Sequence, residues 1–257
     1  VGYNNILLKK GDDYMISQEI DNRLSFTCAI EYFKLHIIEL NKKYKSVSPL
    51  VYRTYTFCEN IEKLTEHDFQ KLKVIVIGDN PSIPFGDKDI YFEGGSGNVA
   101  RTLLRMMGYN DDEYMFFNKT AISSSKTSYV KSQMKYRKEL GKYIYEKDLD
   151  INMIFMANFI NHCLLLKDDL KIYIMGYAGL KDTKRLFTPF FETLFIKKKV
   201  PLSKVHFFPH PSPRSGSLFK RLDDHNVSSI CSFEKSSIPL FLKTKKSYGH
   251  WIKQFKN

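Results

Sequence analysis

Four short apolar runs, each stopped by glycine or by polar turn residues, constrain what this 257-residue chain can fold into more than any other feature. The first, Lys73-Val74-Ile75-Val76-Ile77, runs into Gly78-Asp79-Asn80-Pro81. The second, Tyr114-Met115-Phe116-Phe117, ends in Asn118-Lys119-Thr120. The third, Lys171-Ile172-Tyr173-Ile174-Met175, ends at Gly176, and the fourth, Val205-His206-Phe207-Phe208, leads into Pro209-His210-Pro211. Apolar residues at successive rather than alternate positions read as strands covered on both faces. Helix-length segments separate the runs, and such βα alternation implies a parallel sheet, right-handed crossovers and helices on both faces. The expected fold is α/β: three layers, α/β/α, around a central four-stranded parallel sheet. All four polar turns then gather at the carboxyl edge, where open α/β sheets place their ligands.

The intervening chain supports this order. Residues 1–60 read as a mostly helical N-terminal extension packed on a single domain that spans residues 1–257. Ser17-Gln18-Glu19-Ile20 resembles a helix start, apolar residues from Leu24 to Leu40 recur near helical spacing, and Lys42-Lys43-Tyr44-Lys45 closes that helix. Glu66 to Leu72 suggests a short helical turn. A long loop, Ser82 to Gly97, follows the first strand, and loops of that length inside a domain are usually functional or disordered. Asn98 is expected to cap a helix over Val99–Met107 that stops at Gly108. Ile151 to Leu166 reads as an apolar helix against the sheet. Lys181 to Phe195 reads as another, which Pro189 must interrupt or kink.

Composition narrows the partners. Lys and Arg total 40 against 28 Asp and Glu, an excess of +12, and such a balance favours polyanions because phosphate contacts dominate nucleic-acid affinity. Cys28, Cys58, Cys163 and Cys231 are widely separated and form no CxxC pair, which argues against a zinc knuckle or a disulfide framework. A reducing cytoplasm is the simplest compartment, with a nucleoid or nuclear place if DNA is the partner. No uninterrupted apolar run reaches the roughly 18 residues of a membrane span, and Val1 is followed by polar residues rather than a signal peptide.

The chemistry-bearing residues lie in the strand-end turns. His210, flanked by Pro209, Pro211 and Pro213, sits on a stiff backbone. That suits a group that must hold position while charge develops nearby. A lone His is more often structural, but the proline brace and Ser212 point to function. No G-x-S-x-G nucleophile elbow is present, which argues against an unrelated α/β hydrolase.

Taken in order, the turns resemble the uracil-DNA glycosylase superfamily. Gly78-Asp79-Asn80-Pro81 is similar to its first signature, a strand followed by Gly-x-(Asp/Asn)-Pro. His210-Pro211-Ser212-Pro213 is similar to its second. Asn118 stands where the family keeps an asparagine that reads the base edge, and Gly176-Tyr177-Ala178 resembles its Gly-x-Ala turn. The likeness covers residues 73 to 216 and is closest to the Asn-bearing mismatch-specific and single-strand-selective branches.

The resemblance implies a fold like that of the uracil-DNA glycosylases and a monofunctional N-glycosidase removing uracil or a related damaged base, without metal or cofactor. By that likeness His210 hydrogen-bonds the oxygen where negative charge collects and Asn80 positions water. Asn118 reads the flipped base and Phe92 stacks on it, with Phe85 second, while Gly78 and Asp79 complete the base-binding turn. Ser212, Arg214, Ser123 and Lys126 are the implied DNA contacts, and a monomer acting on uracil- or damage-containing DNA is the implied state.

Two departures stand out. Asn80 replaces the Asp of the commonest form and supplies no negative charge, with Asp79 adjacent but expected to point differently. Arg214 replaces a wedge Leu, and a wedge must offset a few kcal/mol to extrude a base. The alternative reading is a weak or inactive member that binds nucleic acid, or an enzyme acting on a nucleobase outside DNA.

Overall fold

The computed structural model describes residues 7–10, 13–16, 20–45, 64–81, 92, 95–121, 144–176, 187–208 and 210–211. Its centre is a four-stranded, all-parallel sheet built from β3 (Val74–Gly78), β4 (Tyr114–Asn118), β5 (Lys171–Met175) and β6 (Val205–Phe208). Across the sheet the order is β4-β3-β5-β6, so counted along the chain the strands lie 2-1-3-4. Nearly every residue of these strands is buried, which explains the unbroken apolar runs: helices flank the sheet and leave no strand face to water.

Helix α1 (Phe26–Lys45) buries Phe26, Ala29, Ile30, Phe33 and Ile37, a helical stripe, against α4 (Ile144–Leu166). The contact is aromatic: Phe33 lies 5.1 Å from Phe159 and 5.5 Å from Phe117 of β4, ring centre to ring centre. Pairs at such separations add roughly 0.5–1.5 kcal/mol beyond the area they bury. Between α1 and the sheet, α2 (Glu66–Lys71) opens on a capping box in which Thr65 and Asp68 satisfy each other's backbone N–H. Helix α3 (Gly95–Met106) joins β3 to β4, and Arg101 lays its guanidinium 4.8 Å from the Phe116 ring centre. After β5 comes α5 (Thr188–Phe191), which continues as a π-helical stretch, Glu192–Lys197.

Several expectations need correction. The N-terminal region is not simply helical: β1 (Leu7–Lys10) and β2 (Asp13–Ile16) pair antiparallel, and Gly11-Asp12 between two short runs was the sequence signal for it. Residues 17–19 lie outside the described residues, and Ile20 is not helical. The helix starts at Phe26, with Ser25 Oγ accepting from the Cys28 N–H at 3.3 Å. Asn98 is not an N-cap, because α3 closes its first turn at Gly95-Ser96-Gly97. Pro189 stands in the first turn of α5, where the N–H it lacks would have had no partner. Residues 181–186, the expected first part of that helix, lie outside the described residues. Finally, Leu149–Leu166 of α4 is long and apolar enough by composition to cross a membrane, with mean hydropathy 1.4, although polar residues interrupt it. Its apolar side chains serve the core, and 72% of the stretch is buried inside the protein.

Candidate active site

Because the four strands run the same way, their carboxyl ends meet at one edge. That edge carries residues 78–81, 118–121, 176, 208, 210 and 211. Register then decides which side chains share a face. Gly78 pairs with Asn118, so residues 78 and 118 look to one face of the sheet and residues 79 and 119 to the other.

On the first face Gly78, Phe92 and Asn118 pack closely together. Position 78 must be glycine: a methyl group there would lie 2.5 Å from Phe92 Cζ and 2.7 Å from Asn118 Oδ1. The Phe92 ring stacks on Phe116 with centres 4.6 Å apart. Its backbone is left-handed at φ 57°, a strained conformation for a non-glycine residue, and Arg101 Nη1 donates to its carbonyl at 2.9 Å. Asn118 is 2% exposed, and its Nδ2 has no hydrogen-bond partner among the described residues. Leaving a buried amide donor unpaired costs about 1–3 kcal/mol, so such groups call for an explanation. Gly78, Phe92 and Asn118 thus surround a donor whose acceptor lies outside the described residues.

On the opposite face Asp79 and Lys119 pair with each other. Lys119, fully buried, donates from Nζ to Asp79 Oδ1 at 2.5 Å and to the Gly176 carbonyl at 2.8 Å. Phe187 and Phe191 sit with ring centres 5.1 Å from the ammonium. Burial pushes the Lys119 pKa down, and Asp79 opposes that shift. Gly176 is left-handed at φ 95°, and a methyl group on it would stand 3.2 Å from both Asp79 carboxylate oxygens. Next to this pair, Asn152 Oδ1 accepts from Thr120 Oγ1 and from the Ala121 N–H, each at 2.9 Å. Asn152 Nδ2 meets His36 Nε2 at 3.4 Å, and burial pushes the His36 pKa down to about 3, keeping it a neutral acceptor.

Asn80 is half-buried, and its Nδ2 donates to the neighbouring Pro81 carbonyl at 2.9 Å. His210 stands at the rim and is exposed as a residue. The protein packed about its ring still pushes its pKa down, with Asp79 pulling it up and Lys119 pushing it further down. Those two influences bring the turns after β3, β4 and β6 into one electrostatic neighbourhood. Of the residues singled out from sequence, Gly78, Phe92 and Asn118 converge directly, while Asn80 and His210 lie at the same sheet edge. Asp79 belongs to the other face, where its carboxylate is engaged by Lys119. Ser123, Lys126, Ser212, Arg214 and Phe85 lie outside the described residues.

Sequence reasoning missed Lys119 and the Phe187–Phe191 pair beneath it. A lysine directly after a buried strand, opposite an aspartate one position beyond the matching residue, was the available signal. An open cleft lined by Arg105, Gly108, Tyr109, Asn110 and Asp111 lies at the other end of the sheet, with Arg105 already paired to Asp111. Among the described residues no cluster of three or more His, Cys, Asp or Glu could hold a metal ion. No protein-family model matches the chain, and no curated protein matches it in sequence.

Proposed function

We propose that this protein is a DNA base-excision glycosylase that hydrolyses the N-glycosidic bond of uracil or a related damaged base, with a fold of the uracil-DNA glycosylase kind. One observation carries the reading: the buried Nδ2 of Asn118, unpartnered among the described residues, beside a glycine that admits no side chain and close to the Phe92 ring. That is the donor a carbonyl on a pyrimidine edge would accept from, and Asn118 Oδ1 can take a ring N–H beside it.

In the proposed reaction the extruded base enters a recess at Gly78, Phe92 and Asn118 and lies against the Phe92 ring. As the bond to the sugar breaks, electrons move to the base and collect on its carbonyl oxygen, where a neutral His210 donates a hydrogen bond. The depressed pKa of His210 favours that neutral donor form. Asn80 holds the water that captures the sugar cation. No carboxylate in the β3 turn is free to assist, since Asp79 is bound to Lys119. DNA as the partner is supported by charge. Residues 122–143, which follow β4 in the chain, hold six basic residues against one acidic, and residues 212–257, which follow β6, hold nine against three. Together they account for nearly all of the +12 excess.

The test is base release from uracil-containing oligonucleotides, read as alkali-labile abasic sites. Asn80→Ala and His210→Ala are each expected to slow release at least ~100-fold, the scale of one lost oxyanion donor. No release from single strands, U·A, U·G or hypoxanthine substrates sinks the enzymatic claim. A second reading, a binding protein with little or no catalysis, is favoured by two observations. Asn80 is turned toward the Pro81 carbonyl, and Asp79 is locked away. Tight binding to abasic or uracil DNA without release would select it.

A further inference from the structure

Lys119 is an expensive residue to keep where it is. Burying an ammonium and a carboxylate costs several kcal/mol per ion, and well-packed apolar replacements for such pairs are often as stable or more so. Stability alone therefore gives little reason for the pair, and its connections suggest another.

The Lys119 backbone N–H donates to the Gly78 carbonyl at 3.0 Å, extending the β3–β4 ladder past its last paired residue. Its Nζ reaches back to Asp79 in the β3 turn and across to the Gly176 carbonyl after β5. The Gly176 N–H in turn donates to the Phe208 carbonyl at 2.9 Å, two residues before His210. One side chain thus links the carboxyl ends of all four strands. The residue before it is Asn118, the residue before its carboxylate partner is Gly78, and the residue after that partner is Asn80. The ring contacts of Phe187 and Phe191 cover the ammonium, which is fully buried.

We propose that Lys119 is the positioning residue of the site, a buried strut that sets Asn80, Asn118 and His210 at the spacing base excision requires. The proposal rests on the glycosylase reading for its consequence, but the strut acts on His210 whatever the substrate. Lys119 touches no base: it faces away from the recess, and its effect passes through the turns and through charge. Among the described residues, Asp79 from the β3 turn and Lys119 from the end of β4 are the charged groups acting on the His210 ring.

The test uses the full-length chain with both charges removed, Asp79→Leu with Lys119→Met, which fills the space beside Phe187 and Phe191 with apolar groups and leaves no lone buried ion. Single-turnover base release is expected to slow by ~10- to 100-fold, as for a displacement of about 1 Å, with affinity for uracil DNA little changed. His210 is followed by NMR titration in the same protein. Its midpoint is expected to fall, because Asp79 raises it more than Lys119 lowers it. Lys119→Met alone, where it folds, is expected to move the midpoint up. A folded double variant with the parental rate and an unchanged His210 titration overturns the proposal. Absence of release by the parent protein overturns the glycosylase reading instead, and the titration alone then judges the strut: an unmoved midpoint rejects it and a shifted one supports it.

Discussion

Gly78 and Asn118 on one face of the sheet edge, and Asp79 and Lys119 on the other, are neighbours in sequence and opposites in chemistry. The first pair surrounds a buried donor with no partner among the described residues; the second forms a hydrogen-bonded ion pair with aromatic rings closed over it. A polar group left unsatisfied within a folded chain is a cost that a ligand can relieve, whereas a satisfied one already contributes to the fold. The comparison teaches which face to assign to chemistry and which to architecture. It also sets the Asp79 carboxylate apart from Asn118, bound to Lys119.

The largest effect should come from breaking the architectural face. Asp79→Ala leaves the Lys119 ammonium buried without its counter-ion and is expected to cost about 3–5 kcal/mol in urea unfolding. A cost below about 1 kcal/mol would mean the pair is not the closed unit its geometry describes. On the ligand face the expected outcome separates stability from activity. Asn118→Leu removes an unpaired amide for an apolar group of similar shape, so its thermal midpoint should equal or exceed the parent's. Base release should nevertheless fall at least ~100-fold. A midpoint several degrees lower would show that the amide is structural, and the two faces would then not differ in kind. The smallest effect tests how closely the recess is built. Gly78→Ala forces a methyl group into Phe92 and Asn118, and overpacking of this sort costs about 1–3 kcal/mol. Adding Phe92→Ala in that background should recover most of the loss, and failure to recover it would place the strain elsewhere.

Much of the fold was legible because its signals are local. Val74–Gly78 and Tyr114–Asn118 announce themselves as strands buried on both faces, and α1 shows a helical stripe from Phe26 to Ile37. Helix starts were read less well. Asn98 looked like a cap from its side chain alone, while the chain closed the turn three residues earlier beside Phe92. The β1–β2 hairpin was passed over because four-residue strands give almost no period to detect. For the candidate site, Gly78, Asn118 and Phe92 were singled out from sequence, and the structure packs them together. The state of their side chains was not legible, since an unsatisfied amide is a property of everything packed around it.

By itself the sequence determined four buried strands with polar ends and, through βα alternation, that those ends meet at one edge. Local periodicity and turn chemistry suffice for that, because each depends on a handful of consecutive residues. Only the tertiary structure decided that Asp79 and Lys119, 40 residues apart, share a face and neutralise each other while Asn118 is left with a donor to spare. The physical reason is register. A shift of one residue between β3 and β4 would exchange the two faces, and no local pattern in either strand records which pairing is made.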